Sequence, residues 1–211
     1  LAARSRPLPQ AMPKAGAPDS STMTDKQEIR RRIKAQKSLL TDAERRSAAA
    51  AVFAAVERTA AFLLADRILV YNSLPDELST RNFLDKWASR KRFFLPRVNG
   101  VNLELLPYER TRLHLGAFHI EEPDGDETVD PESMDLVIVP AVALDAAGNR
   151  LGRGRGFYDR LLASTRATTI GVGYDFQLIA DGLPVEPHDV ALDIVITESR
   201  RYLARRGKSS R

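Results

Sequence analysis

Asp145-Ala146-Ala147-Gly148-Asn149-Arg150-Leu151-Gly152-Arg153-Gly154-Arg155-Gly156-Phe157-Tyr158-Asp159-Arg160-Leu161 is the stretch around which the chain is organised. It follows the most apolar run, Leu136-Val137-Ile138-Val139, and leads into aromatic and leucine residues at helical spacing. The order is therefore strand, glycine-arginine loop, helix. Glycines at 152, 154 and 156 carry no Cβ, so the backbone can adopt positive φ and approach a ligand closely. A helix starting near Phe157 turns its free N–H groups and the positive end of its dipole towards the loop. Arg150, Arg153 and Arg155 add guanidinium forks suited to phosphate oxygens. All three features favour an anion, most simply a polyphosphate. The spacing is neither a Walker loop nor the usual dinucleotide fingerprint. A flexible surface loop and an RNA-contacting Gly-Arg segment are the alternatives.

At 211 residues the chain has the length of one ordinary domain and can bury a real core. Its 43% hydrophobic and 28% charged residues are those of a soluble globular protein. No apolar run approaches the roughly 20 residues that span a bilayer. The absence of cysteine excludes disulfides and thiolate chemistry, and a cytoplasmic location is expected. Charge is unevenly placed. Residues 1–24 carry a net +2 and residues 200–211 a net +6, which leaves residues 25–199 at −4 within a total of +4. The basic pI thus belongs to the ends, and no nucleic-acid partner is inferred from it. Residues 1–24, rich in Ala, Pro and Ser, read as a disordered tail, leader or added segment, and residues 200–211 as a frayed basic tail.

Thr24-Asp25-Lys26-Gln27 has the pattern of a capping box before a helix with Ile29, Ile33, Gln36 and Leu40 on one stripe. Lys26, Arg30 and Lys37 fall together on the edge of that stripe. They either snorkel from a half-buried face or reach over the core edge towards an anion. Thr41-Asp42-Ala43-Glu44 is a second capping box, opening an alanine-rich helix. Arg67 to Tyr71 is a strand, and after it come Asp76 and Glu77, with Ser79 as the expected N-cap of a helix carrying Phe83, Leu84 and Trp87. Ligands in α/β sheets sit beyond the carboxyl ends of strands, so these two acids are placed like the glycine loop. They serve either the helix dipole or a ligand. Phe93 to Arg97 and Leu103 to Leu106 are strands joined by a turn at Asn99-Gly100. The acids between Asp124 and Asp135 read as a solvated loop, and His114 and His119 as structural or surface residues. Thr169 to Tyr174 and Leu192 to Thr197 are the last strands, separated by the extended loop Leu183 to Asp189. A single three-layer α/β domain follows, a Rossmann-like variant with a mainly parallel central sheet and helices on both faces.

Four stretches, Lys26-x-x-x-Arg30, Asp76-Glu77-x-x-Thr80, Phe94-Leu95-Pro96-Arg97 and the run Arg150 to Asp159, together resemble the 5-formyltetrahydrofolate cyclo-ligase family. The similarity covers about residues 25–199. It implies conversion of 5-formyltetrahydrofolate to 5,10-methenyltetrahydrofolate, ADP and phosphate with ATP and Mg²⁺, through phosphorylation of the formyl oxygen and ring closure by N10. The resemblance places ATP on Lys26, Arg30 and the loop Arg150, Leu151, Gly152, Arg153, Gly154, Arg155, Gly156, Phe157 and Tyr158. It places the folate on Arg30, Leu74, Glu77, Phe118, Arg153, Phe157 and Tyr158, and Mg²⁺ on Asp159 and Asp189. Arg153, Arg155 and Glu77 are the implied catalytic residues. Phe157 departs from the family's usual Tyr-Tyr-Asp, removing one hydroxyl but keeping a ring. A monomer acting on a small molecule is expected, with no membrane and no nucleic acid. Two rivals are an isomerase or transferase on the same fold, recognised by independence of ATP, and an RNA-binding module. The second predicts salt-sensitive RNA binding that is lost with residues 200–211.

Overall fold

The computed structural model describes residues 20–109, 113–115 and 121–204. Phe118 and His119, residues 1–19 of the N-terminal segment and 205–211 of the basic end lie outside them.

The helices are α1 (Ser20–Ser38), α2 (Asp42–Glu57), α3 (Ala60–Leu64), α4 (Arg81–Trp87) and α5 (Phe157–Ala163). The first six strands are β1 (Arg67–Val70), β2 (Arg92–Asn99), β3 (Asn102–Pro107), β4 (Leu113–Leu115), β5 (Glu121–Pro123) and β6 (Leu136–Pro140). The rest are β7 (Ala143–Leu144), β8 (Arg150–Leu151), β9 (Thr168–Val172), β10 (Ile194–Ile196) and β11 (Arg201–Leu203). Seven strands form one sheet in the order β11-β10-β9-β6-β1-β2-β3. The five inner strands are mutually parallel, and β3 and β11 close the two edges antiparallel.

Neighbouring residues of a strand face opposite ways, which fixes the three layers. Ile68, Val70, Phe93, Leu95, Leu136 and Ile138 meet α2, α3 and α4 through Val52, Phe53, Val56, Phe62 and Phe83. Leu69, Phe94, Val137, Val139 and Val195 meet Leu161 and Leu162 of α5 on the other face. Each fully buried aliphatic or phenyl side chain contributes about 1.5–3 kcal/mol. The second capping box forms as expected: the Thr41 hydroxyl accepts the Glu44 amide at 3.2 Å, and Glu44 accepts the Thr41 amide at 2.8 Å.

Several expectations are corrected. α1 begins at Ser20, so Thr24 lies inside the helix rather than capping it. Thr80, not Ser79, precedes α4, and its side chain makes no capping hydrogen bond. The basic end does not fray at Arg200: β11 pairs with β10, Tyr202 opposite Val195, and Tyr202 packs against the core. An edge strand needs only one apolar side, so its flanking arginines stay in solvent. The acidic run is partly built in. Val129 bridges Leu105, and the Asp135 carboxylate accepts the amides of Asp66 and Arg67 at 2.9 and 2.8 Å. Finally, the first half of the organising stretch is not a free loop but the hairpin β7–β8. Among the described residues no helix is long and apolar enough to cross a membrane.

Candidate active site

β1 connects to β2 on one side of the sheet and β6 to β9 on the other. The crevice between the carboxyl ends of β1 and β6 is therefore a topological switch point, where loops diverge and leave room for a ligand. A cavity of about 810 Å³ lies there. Its lining includes Leu74 and Glu77, the whole of Arg150 to Arg160, Lys26 and Arg30 from α1, and Glu186, His188 and Asp189.

The hairpin that delivers the loop is fastened by one buried carboxylate. Asp145 Oδ1 accepts the amides of Ala147 and Asn149 at 3.0 and 2.9 Å, while Oδ2 accepts Asn149 Nδ2 at 2.8 Å and the Leu183 amide at 3.0 Å. The loop then turns through Gly154 at φ 95° and Gly156 at φ 67°. Any other residue would meet a steric cost of about 1–2 kcal/mol there. α5 is only seven residues long, so its end adds less to an anion site than the sequence suggested.

The arginines differ in what they meet. Arg150 is turned inwards, its side chain 4% exposed, and donates to Asp159 Oδ1 at 2.7 Å. Its buried Nε has no acceptor among the described residues. Arg153 is half exposed and donates to Asp76 Oδ1 at 2.6 Å and Glu77 Oε1 at 3.2 Å. The other Glu77 oxygen accepts the Leu74 amide at 3.0 Å. The acids after β1 therefore cross to the glycine loop, and α4 starts only at Arg81. Burial alone would lower the Arg153 pKa, but Glu77 and Asp76 outweigh it and leave it raised. Burial pushes the Tyr158 phenol up, with the Glu77 charge adding to the effect.

Lys26 and Arg30 line the cavity, while Lys37 is buried beside Asp76. Lys26 donates to Glu186 at 2.7 Å and Asp189 at 3.1 Å. Arg30 Nε donates to the Gly152 carbonyl at 2.9 Å. Lys37, 4% exposed, lies 3.5 Å from Asp76. Burial lowers the pKa of Lys37, and its neighbours Asp76 and Glu77 only partly restore it.

Of the residues singled out from sequence, Lys26, Arg30, Leu74, Glu77, Arg150 to Asp159 and Asp189 all line the cavity. Phe118 falls outside the described residues. The proposed metal ligands are not brought into one cluster. Asp189 joins Glu186 and His188, whose ligand atoms lie within 4.8 Å of one another, while Asp159 is held by Arg150. Glu186 and the role of Asp76 were missed. Only the fold shows that they oppose Lys26 and Arg153, 160 and 77 positions away in the chain.

The family model described as the 5-formyltetrahydrofolate cyclo-ligase family matches residues 22–198. The chain belongs to the 5-formyltetrahydrofolate cyclo-ligase family. That membership makes it a ligase. The Escherichia coli K12 5-formyltetrahydrofolate cyclo-ligase is 34% identical over 148 residues, covering 65% of this chain and 81% of that protein. A solved structure of the Aquifex aeolicus 5,10-methenyltetrahydrofolate synthetase superimposes with a TM-score of 0.78 at 32% identity, covering 88% of this chain and 96% of that one. The Mycoplasma pneumoniae synthetase structure, 22% identical, has a TM-score of 0.67 over 83% of this chain and 99% of that one, and supports the fold.

Proposed function

We propose that this chain closes 5-formyltetrahydrofolate to 5,10-methenyltetrahydrofolate, using ATP and releasing ADP and phosphate. The observation that carries this reading is the meeting of Arg153 with Asp76 and Glu77, which ties the anion-suited glycine loop to a carboxylate loop across one cavity. At about 810 Å³ the cavity is at the upper end of the roughly 300–1,000 Å³ range of small-molecule sites, as two reactants require.

Lys26, Arg30 and the loop from Arg150 to Tyr158 take the nucleotide, with Arg153 and Arg155 against phosphate oxygens. Leu74, Glu77, Phe118 and the Phe157 and Tyr158 rings hold the folate. Asp159 and Asp189 are hard oxygen donors at separate places on the cavity wall, and either carboxylate together with phosphate oxygens would hold Mg²⁺. When bound, that ion neutralises phosphate oxygens as charge moves. The formyl oxygen takes the terminal phosphoryl group and ADP leaves. N10 then bonds to the formyl carbon, the C–O bond breaks, and phosphate departs carrying the former formyl oxygen while N10 gives up its proton. The protein's part is alignment of the two reactants and neutralisation of the transferred group. We read the enzyme as a cytoplasmic monomer whose catalytic unit runs from α1 through the edge strand β11; sedimentation tests the monomer.

The test is absorbance on mixing the protein with 5-formyltetrahydrofolate, ATP and Mg²⁺, since the methenyl product is a new conjugated chromophore. Growth of that band only when ATP is present supports the reading. Well-folded protein that produces no band sinks it.

A further inference from the structure

Glu122 has no part in the chemistry above, yet it is one of the few buried charged residues among those described. It stands in β5, which packs on β2, and is 6% exposed. It lines the same cavity, in the company of Pro96, Val98 and Leu103. Among the described residues its one hydrogen bond comes from the Val98 amide at 3.5 Å, and no lysine or arginine pairs with it. Its neighbour Glu121 points to solvent and meets Arg81 at 3.4 Å. A carboxylate withdrawn from water with one long hydrogen bond is costly, and a site keeps such a group where a ligand supplies the missing donors.

Resting on the folate reading, we propose that Glu122 is a specificity-determining residue that receives the donor edge of the pterin ring. The argument is one of hydrogen-bond pattern. A carboxylate presents two acceptors side by side and no donor. The 2-amino-4-oxopyrimidine end of a pterin presents two parallel donors, N3–H and one hydrogen of the 2-amino group. Adenine, the other flat ring the cavity would receive, offers a donor beside an acceptor and matches only one oxygen. The surrounding Pro96, Val98 and Leu103 suit a flat ring, whereas the cationic wall of Lys26, Arg30 and Arg153 suits phosphates. Glu77 already spends its oxygens on Leu74 and Arg153, so it stands nearer the transferred group than the far edge of the pterin.

The experiment compares wild type, Glu122→Ala, Glu122→Gln and the control Glu121→Gln, with 5-formyltetrahydrofolate and with its analogue lacking the 2-amino group. Glu122→Ala should raise the folate KM about tenfold to hundredfold, the range for hydrogen bonds to a charged group, with the ATP KM unchanged. Glu122→Gln, which keeps one acceptor, should fall between, and Glu121→Gln should match wild type. In wild type the analogue should suffer a similar penalty, and that penalty should shrink in Glu122→Ala because the lost partners are the same. An unchanged folate KM, a rise in the ATP KM instead, or an equal analogue penalty in all variants overturns the assignment. Calorimetric ATP binding by each variant separates these outcomes from misfolding. Absence of turnover in wild type would instead strike the folate reading itself.

Discussion

The two ends of α1 bury the same residue type with opposite electrostatic results. Lys26 and Lys37 stand eleven positions apart on the edge of one helical face, and both are almost inaccessible, at 8% and 4%. At the first end burial works against the ammonium, but Glu186 and Asp189 together overcome it and the pKa is raised. At the second end burial wins, because the nearest carboxylate, Asp76, lies at 3.5 Å and is shared with Arg153. Each lysine has two carboxylates near it, so contact and depth decide: Lys26 hydrogen-bonds both of its partners, whereas Lys37 is the more deeply buried and stands 3.5 Å from its nearest one. One end carries a saturated ion cluster, and the other a charge in deficit beside the proposed transfer point.

The largest effect should come from breaking the deficit. Arg153→Ala is expected to lower turnover about a thousandfold, as for arginines that neutralise a transferred phosphoryl group. Its half-exposed ion pairs are worth about 1 kcal/mol or less, so the melting temperature should move by only a few degrees. Near wild-type turnover would remove Arg153 from the catalytic set. The same variant leaves Asp76 to Lys37, whose pKa should rise, as ¹⁵N NMR of the side-chain amine can read.

Lys26→Met comes next. It leaves Glu186 and Asp189 facing each other, at a cost of about 3 kcal/mol on denaturant unfolding, the lower end of the range for a broken buried pair. Lys37→Met should change stability by under about 1 kcal/mol, because the replacement fills the space and removes a buried charge in deficit. Equal losses in the two variants would refute the contrast.

The smallest effect lies in alkaline pH dependence. Lys37 has a folded pKa below 10.5, so between that value and 10.5 the unfolded chain binds more protons and this residue makes stability rise with pH. Lys26 has a folded pKa above 10.5, so its contribution is full below 10.5 and is lost as pH climbs through the folded value. Stability profiles of each variant subtracted from wild type should show those two slopes with opposite sign.

The parts legible in the sequence are those where short-range pattern and final environment agree. Leu136 to Val139 is apolar throughout because it is covered on both faces, and Thr41 to Glu44 caps its helix with groups only three residues apart. Most of the cavity wall was legible too, because the family resemblance rests on residues that line it. β11 was not, since Arg200 and Arg201 beside a lone Tyr202 look like a solvated tail until the edge of β10 is known. β7 and β8, two residues each, carry no period at all and exist because Asp145 ties their turn. The partners of Lys26 and Arg153 were invisible for another reason. Charge pairing across more than 70 positions leaves no local trace.

That long reach has a consequence for how the protein is made. Glu186 leaves the ribosome 160 residues after Lys26, which at about 5–20 residues per second is on the order of ten seconds or more. The nascent sheet can begin to assemble during that interval, but the first helix has no anchor at its amino end. The proposed nucleotide site is therefore completed among the last parts of the growing polypeptide, and a product stalled before Leu183 would be structured in part and lack the carboxylates that hold Lys26.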